Sequence, residues 1–362
     1  MLFSIIIFII TLLVLVLIHE FGHFLMAKRF GIKVEEFGFG IPPKIFGKKI
    51  GETIYSLNAL PLGGFVRLLG EDEVKREFLV NPRSFAAQSV WKRILVVIAG
   101  VVMNLILAWI LFYTVIISQN FRIIYPTPKP VVFVSQVQKD FPAEVAGVRV
   151  GEKLLAIDDQ SVKDIDQARN LIRSKEGVSI KLTLSDVDDK YQRTVALTPK
   201  KVEGKDVLIG VVFSPLAFKQ YLTPHERVFS GISYSWDLTH LTFIGLGQLL
   251  NDLIYGNFEK ASQSVSGPVG LAGITTNILS LGAEAVLPYL WFVGVISLTL
   301  TIFNILPIPA LDGGRLLFLT VEALSRKKVR EDIERLVHQI GFAILLFLAL
   351  LVTYSDIRKI FP

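Results

Sequence analysis

The stretch LVLIHEFGHFLMAKRF, residues 15–30, closes an apolar run, residues 1–18, whose polar side chains are Ser4 and Thr11. Such a run reads as a membrane-crossing helix, which needs about 20 apolar residues to cover about 30 Å of hydrocarbon. Its end carries His19, Glu20 and His23, ionisable groups that are costly in hydrocarbon and mark a functional site when they lie inside a span. Four-residue spacing on an α-helix puts both imidazoles on one face, with Glu20 beside them able to reach a water held by the same metal. The pattern reads as a zinc site with a general base. If the helix starts near Leu2, His19 lies about 25 Å along it at about 1.5 Å per residue. A catalytic zinc takes three protein ligands and leaves a fourth position open, so one ligand lies elsewhere in the chain.

Composition agrees with a membrane setting. The 362 residues are 52% hydrophobic and 19% charged, with a mean hydropathy of +0.54, unlike an ordinary soluble enzyme. A net charge of +6 says less than where the cations fall. No basic run interleaved with aromatics argues for a nucleic-acid partner. With no cysteine, disulfides, thiolate metal sites and a cysteine nucleophile are excluded, and a metal must rest on His, Asp and Glu.

Four stretches are candidate spans: residues 2–26, 94–117, 286–306 and 340–353, the last beginning near Leu336. The first lacks the basic start and small-residue cleavage site of a signal peptide. Lys28, Arg29, Lys33, Lys44, Lys48, Lys49, Arg67, Lys75, Arg76, Arg83, Lys92 and Arg93 crowd the first loop, and Arg326, Lys327, Lys328, Arg330 and Arg335 the third. The positive-inside bias makes both loops cytoplasmic, so residues 118–285 and both termini face outward. His19 then sits toward the cytoplasmic side. The third span runs inward and ends FNILPIPALDGGRLL, residues 303–317, which brings Asp312 to the same level. Pro307 and Pro309 break the helix, and Gly313 and Gly314 let the chain turn a carboxylate back into the bundle. Alone, Asp-Gly is an ordinary turn; paired with the histidines at matching depth, it reads as the third ligand.

HEFGH in the first span, with N-x-x-P-x-P-x-L-D-G from Asn304 to Gly313, resembles the site-2 protease family of intramembrane zinc metalloproteases, its bacterial regulator-of-sigma-E type in particular. AGVVMNLILA, residues 99–108, matches the family's G-x-x-x-N, and LPLGGFVRLLG, residues 60–70, its membrane-associated β segment. The resemblance implies Zn2+ held by His19, His23 and Asp312, with Glu20 activating water. It implies cleavage, in the bacterial cytoplasmic (inner) membrane, of single-span proteins such as anti-sigma factors. Asn104 could bind a substrate backbone, a developing oxyanion or a neighbouring helix; Asn304 could bind or cap the backbone exposed by the proline break. The resemblance favours substrate roles for both. Residues 53–70 read as a hairpin about Pro61, Gly63 and Gly64 that either braces the bundle or pairs with an unwound substrate. The resemblance favours substrate binding there, through Gly63, Gly64 and Phe65.

Residues 130–214 alternate apolar runs with short helical segments, a small α+β unit. FPAEVAGVRVGEKLLAIDDQSV, residues 141–162, resembles a bacterial PDZ domain, which would take a peptide or C-terminus between the strand near 131–137 and the helix near 168–172. A spacer that keeps bulky proteins from the site is the other reading. Residues 216–283 read as an amphipathic segment on the lipid surface, and SVSGPVG, residues 264–270, as a loop. His225, His240 and His338 lack ligand spacing. The expected organisation is a polytopic α-helical membrane protein of four transmembrane helices with an inserted α+β PDZ-like extracytoplasmic domain. Its parts are 1–117 (first two spans, cytoplasmic loop and β segment), 118–215 (PDZ-like domain), 216–283 and 284–362 (last two spans). A metal-ion transporter and a membrane-tethered PDZ scaffold are the competing functions.

Overall fold

The computed structural model describes residues 2–71, 76–125, 131–186, 189, 191–201, 207–214 and 217–360. Lys75 of the basic loop, and parts of the 118–215 and 216–283 segments, lie outside the described residues. The chain divides into two compact units, Met1–Phe112 with Tyr234–Pro362, and Tyr113–Ser233. The first begins with α1 (Leu2–Arg29), β1 (Val34–Ile50), β2 (Thr53–Leu68), α2 (Arg76–Val80) and most of α3 (Val90–Ser118), whose residues from Tyr113 on are counted in the second unit. Among the described residues, four helices are long and apolar enough to cross a membrane: Phe3–Arg29, Val90–Ser118, Gly282–Ile305 and Asp332–Lys359. The last exposes Phe342, Phe347 and Leu350 by 60–62%, a face whose natural solvent is lipid.

The expected hairpin about residues 61–64 is not what forms. The turn lies at Gly51, where φ is +63°, and antiparallel pairs such as Lys48 with Tyr55 and Ile50 with Thr53 close a β1–β2 hairpin. Residues 36–39 of β1 lie between the two halves of β2. They face Tyr55, Ser56 and Leu57 on one side, with numbers that rise together, and Gly64, Phe65 and Val66 on the other, in the antiparallel sense. Asn58 secures the bend by donating to the Phe39 and Gly40 carbonyls, both at 3.2 Å. Residues 64–67 thereby become the outer strand of this sheet.

The second unit carries β3 (Arg122–Tyr125), β4 (Val132–Val137), α4 (Pro142–Val145), β5 (Lys153–Ile157), β6 (Gln160–Ser161), α5 (Ile165–Arg173), β7 (Ile180–Ser185) and β8 (Gln192–Leu197). β9 (Lys200–Lys201), β10 (Val207–Leu208), β11 (Val211–Ser214), β12 (Ala217–Gln220) and α6 (Pro224–Val228) follow. In β7, Ile180, Leu182 and Leu184 are buried and Lys181 is exposed, the period-two pattern of a strand with one face on a core. Ala168 and Ile172, four apart on α5, pack into the same core. The sheet order is β11-β4-β5-β7-β8, with β6 on β5. β4 pairs with β11 through Phe133, Val134, Gln136 and Val137, and with β5 at Val132 and Phe133. The edge strand at that end is β11.

Residues 217–279 form several elements where one surface segment was expected: β12, α6, α7 (Ser230–Ile254), α8 (Phe258–Ser264) and α9 (Pro268–Leu279). Thr223 and Glu226 build a capping box that starts α6. Pro268 and Gly270, expected in a loop, belong to α9, because proline at the first helical position loses no hydrogen bond. Leu271 and Ile278 of α9 pack with Leu15 and Phe292, so this helix is part of the bundle. It is capped from a distance: Asp356 Oδ2 accepts from Gly267 N and Gly270 N, both at 2.8 Å. α10 (Val286–Ile305), α11 (Asp312–Ser325) and α12 (Glu331–Ile360) complete the first unit.

Candidate active site

Small residues let the site form. A Cβ on Gly22 of α1 would lie 2.3 Å from the Ala99 carbonyl oxygen of α3, and one on Gly100 would lie 2.4 Å from His23 Nε2 and 2.9 Å from His19 Cε1. The two helices cross at backbone contact, the packing that small residues permit between membrane helices. Val96 of α3 is placed to hold His23: its carbonyl accepts from Nδ1 at 2.8 Å. Since a carbonyl only accepts, Nδ1 carries the proton and Nε2 of the neutral ring presents a lone pair.

Asp312 arrives by a sharp change of direction. α10 ends at Ile305, and Pro307 and Pro309, which have no N–H to give, forbid its continuation. The loop then passes so close beneath the start of α11 that a Cβ on Gly313 would lie 1.8 Å from the Leu306 carbonyl oxygen. Ala310 takes φ +72°, and its N–H donates to His338 Nδ1 at 3.0 Å. Asp312 is the first residue of α11, and its Oδ2 lies 2.9 Å from His19 Nε2 and 3.2 Å from His23 Nε2. The two Nε2 atoms are 3.2 Å apart.

Two imidazole nitrogens and a carboxylate oxygen thus converge on one point, and these residues are the His/Asp/Glu group able to hold a metal ion among the described residues. A lone pair of His23 aimed at an acceptor oxygen is unfavourable unless a cation or proton lies between. Ligand bonds of about 2.0–2.1 Å at tetrahedral angles keep ligand atoms about 3.3 Å apart, close to the separations found. A donor set of two imidazoles and one carboxylate suits zinc. The residues fit the ion that the spacing called for.

Glu20 faces a cavity of about 400 Å³ together with His23, Phe65, Val66, Arg67, Glu71, Asp312 and Arg315. A Cβ on Gly64 would come within 3.7 Å of Glu20 Cγ, and one on Gly63 within 3.8 Å of Val16 Cγ1. The Phe65 ring lies over Gly38. Residues 63–65 are therefore brought against α1 at the level of Glu20. Asn104 stands one turn beyond Gly100, fully buried, with both amide atoms lacking a partner among the described residues; its own carbonyl accepts from Ser297 Oγ at 2.8 Å. Asn304 is half-buried on the last turn of α10 and is not among the residues lining the cavity that Glu20 faces.

The family model of peptidase family M50 matches residues 7–348. The chain belongs to peptidase family M50. Zinc metalloprotease RasP of Geobacillus kaustophilus is 32% identical over 99% of this chain and 98% of its own length. RasP of Bacillus licheniformis is 28% identical over 99% of each. Among solved structures, the PDZ domain of the SdrC-like protein from Listeria monocytogenes is 24% identical, covering 25% of this chain and 93% of that one with a TM-score of 0.21. An M50 peptidase with four apolar helices is a membrane enzyme that acts on protein, so the transporter and scaffold readings fall away. Sequence reasoning about this M50 chain missed Gly22, Gly100, Val96, Glu71 and Arg315. Gly100 had a signal, since it opens the G-x-x-x-N pattern; the Val96 carbonyl has none, because every residue has one.

Proposed function

We propose that this chain is an intramembrane zinc metalloprotease that cuts single-span membrane proteins, anti-sigma factors among them, within or near the spanning segment. The convergence of His19, His23 and Asp312 within 2.9–3.2 Å, beside Glu20 and an outer β strand, carries this reading. Those three residues would hold the zinc. Bound there, zinc supplies Lewis-acid polarisation of the carbonyl and acidifies water. Glu20 takes the proton of the attacking water onto its carboxylate and returns it to the leaving amine.

A peptide bond in a helix is shielded by its own hydrogen bonds, so a substrate must unwind and its freed N–H and C=O groups must find partners. Residues 64–67 offer a strand edge for that purpose, as in peptide recognition by strand addition. Gly63 and Gly64 keep that strand close to Glu20, and Phe65 contributes an apolar wall. The buried amide of Asn104 is suited to bind substrate backbone or developing charge, and Asn304 to bind the chain where the loop exposes backbone. In the proposed topology the basic loops are cytoplasmic, the active site lies toward that side, and the second unit and both termini lie outside. The second unit takes a peptide or C-terminus between the strand at 131–137 and the helix at 168–172, or screens bulky proteins.

The test is Glu20→Gln. Cleavage of tagged single-span helices falls by about 10²- to 10⁴-fold while zinc content and membrane insertion persist. A chelator abolishes wild-type cleavage and added zinc restores it. Unchanged cleavage by Glu20→Gln refutes the mechanism.

A further inference from the structure

Arg315 sits one turn after Asp312 on α11, on the same face of the helix. Its guanidinium Nη1 donates to Oε1 of Glu71. The Glu71 carboxylate is in turn tied to the end of the outer strand: Oε2 accepts from Leu68 N at 3.4 Å, and Glu71 N donates to the Leu68 carbonyl at 3.3 Å. Leu69, next along, donates to the Lys33 carbonyl at 3.0 Å and accepts from Phe85 N at 2.8 Å, so the strand end is held to the body of the first unit. The Glu71 side chain is 12% exposed and that of Arg315 36% exposed, so the carboxylate end of the pair is largely shielded from solvent. At the far end of α11, Arg93 of α3 donates to Glu322 at 2.5 Å.

A second cavity, of about 610 Å³, lies on the other side of this link and is lined by Arg93, Glu322, Lys328, Arg335 and His338 among others. Glu71, Val97, Asp312 and Arg315 line both this cavity and the one containing Glu20. The ion pair is thus a bridge between the strand and the helix that Asp312 begins, with cavity on either side.

We propose that Glu71 and Arg315 are positioning residues that set the register of the outer strand, and of substrate paired to it, against Asp312. This rests on the proposed reading in which residues 64–67 receive substrate and Asp312 holds the metal. Strand addition by itself leaves register loose, because backbone groups repeat every two residues. A strand tied at Leu68 to the helix of Asp312 brings one substrate carbonyl, and not its neighbour, to Glu20.

The test uses the absence of native cysteines. In full-length Glu20→Gln protein, Val66→Cys on the outer strand is cross-linked to a series of single-span helices that each carry one cysteine, and the yield is read against substrate position. With Glu71 intact the yield peaks at one position. Glu71→Gln shifts the peak or spreads it over neighbouring positions, and in the active background the same change lowers kcat about 10- to 100-fold, the cost of roughly 1 Å of misplacement, with KM changed less than about threefold. Arg315→Lys, which keeps the charge, gives a smaller loss of the same kind. An unchanged peak in both variants overturns the inference, even if kcat falls together with thermal stability, since that outcome makes the pair a structural brace alone. Absence of any cross-link with Glu71 intact overturns the docking of substrate on the strand and this inference with it, while the effect of Glu20→Gln on cleavage would still stand.

Discussion

Gly100→Ala is the sharpest perturbation the site offers, because one methyl group meets the proposed ligands directly. The added carbon would lie 2.4 Å from His23 Nε2, 2.7 Å from His23 Cε1 and 2.9 Å from His19 Cε1, roughly 1 Å short of ordinary van der Waals separation. α3 cannot retreat freely, since Gly22 already meets the Ala99 carbonyl at the same crossing. The imidazoles must turn, and a metal site tolerates only about 0.2 Å of error in its ligand distances. Turning His23 also breaks its bond to the Val96 carbonyl, and losing such support costs about 10- to 100-fold in metal affinity, or about 1.4 to 2.7 kcal/mol. In an open helix the same exchange has the opposite sign, favouring the folded state by about 1 kcal/mol. Gly245 of α7 supplies that control, since a methyl group added there would meet no heavy atom within 4 Å. Zinc titration against a competing chelator, with cleavage of a single-span helix alongside, reads the effect. Gly100→Ala should lose metal and activity while Gly245→Ala keeps both. A Gly100→Ala protein with wild-type zinc affinity and rate would refute the packing argument.

Asp356→Ala leaves Gly267 N and Gly270 N without the carboxylate that caps α9 and should cost about 1–2 kcal/mol, read as a lower thermal midpoint in detergent with zinc affinity unchanged. Glu52, at the β1–β2 turn, is pushed down to about 2 by hydrogen bonds from Lys28 and then Arg83. A depressed carboxylate contributes stability that is complete above its unfolded value of about 4.3 and is lost as the pH falls toward about 2. Proteolysis within residues 44–58 should therefore rise as pH drops through that window in the wild type, and Glu52→Gln should show the same susceptibility at every pH.

The sequence carries the parts of this architecture that one segment can declare by itself. The four apolar helices are legible because crossing hydrocarbon imposes length and composition on each alone. The His19, Glu20, His23 cluster is legible because helical geometry fixes the spacing. Asp312 is legible only through depth, a single coordinate that two distant segments share. The β segment shows the limit: its alternation and its glycines suggest strands, yet the partner of residues 64–67 is residues 36–39, across the intervening hairpin, and no local pattern encodes that pairing. The same holds for the pairing of β4 with β11.

What remains illegible shares a physical cause. Gly22, Gly100, Gly313 and Gly314 act by what they omit: the sequence signals a turn at Gly313 and Gly314 and a pattern opening at Gly100, but an absent side chain does not say which backbone or ring lies against it. Each marks a place where another part of the chain comes within about 3 Å of where a Cβ would stand; Gly100 lies directly against His19 and His23, and Gly313 and Gly314 follow Asp312 in α11. Hydrocarbon offers no net driving force for packing apolar helices together, so close approach at these glycines, with hydrogen bonds such as His23 to Val96, must hold the ligand-bearing helices in register. Precision in the metal site is then a property of the helix crossings: enlarging any of these glycines should disturb the site before it disturbs insertion, since length and hydropathy of the spans are untouched.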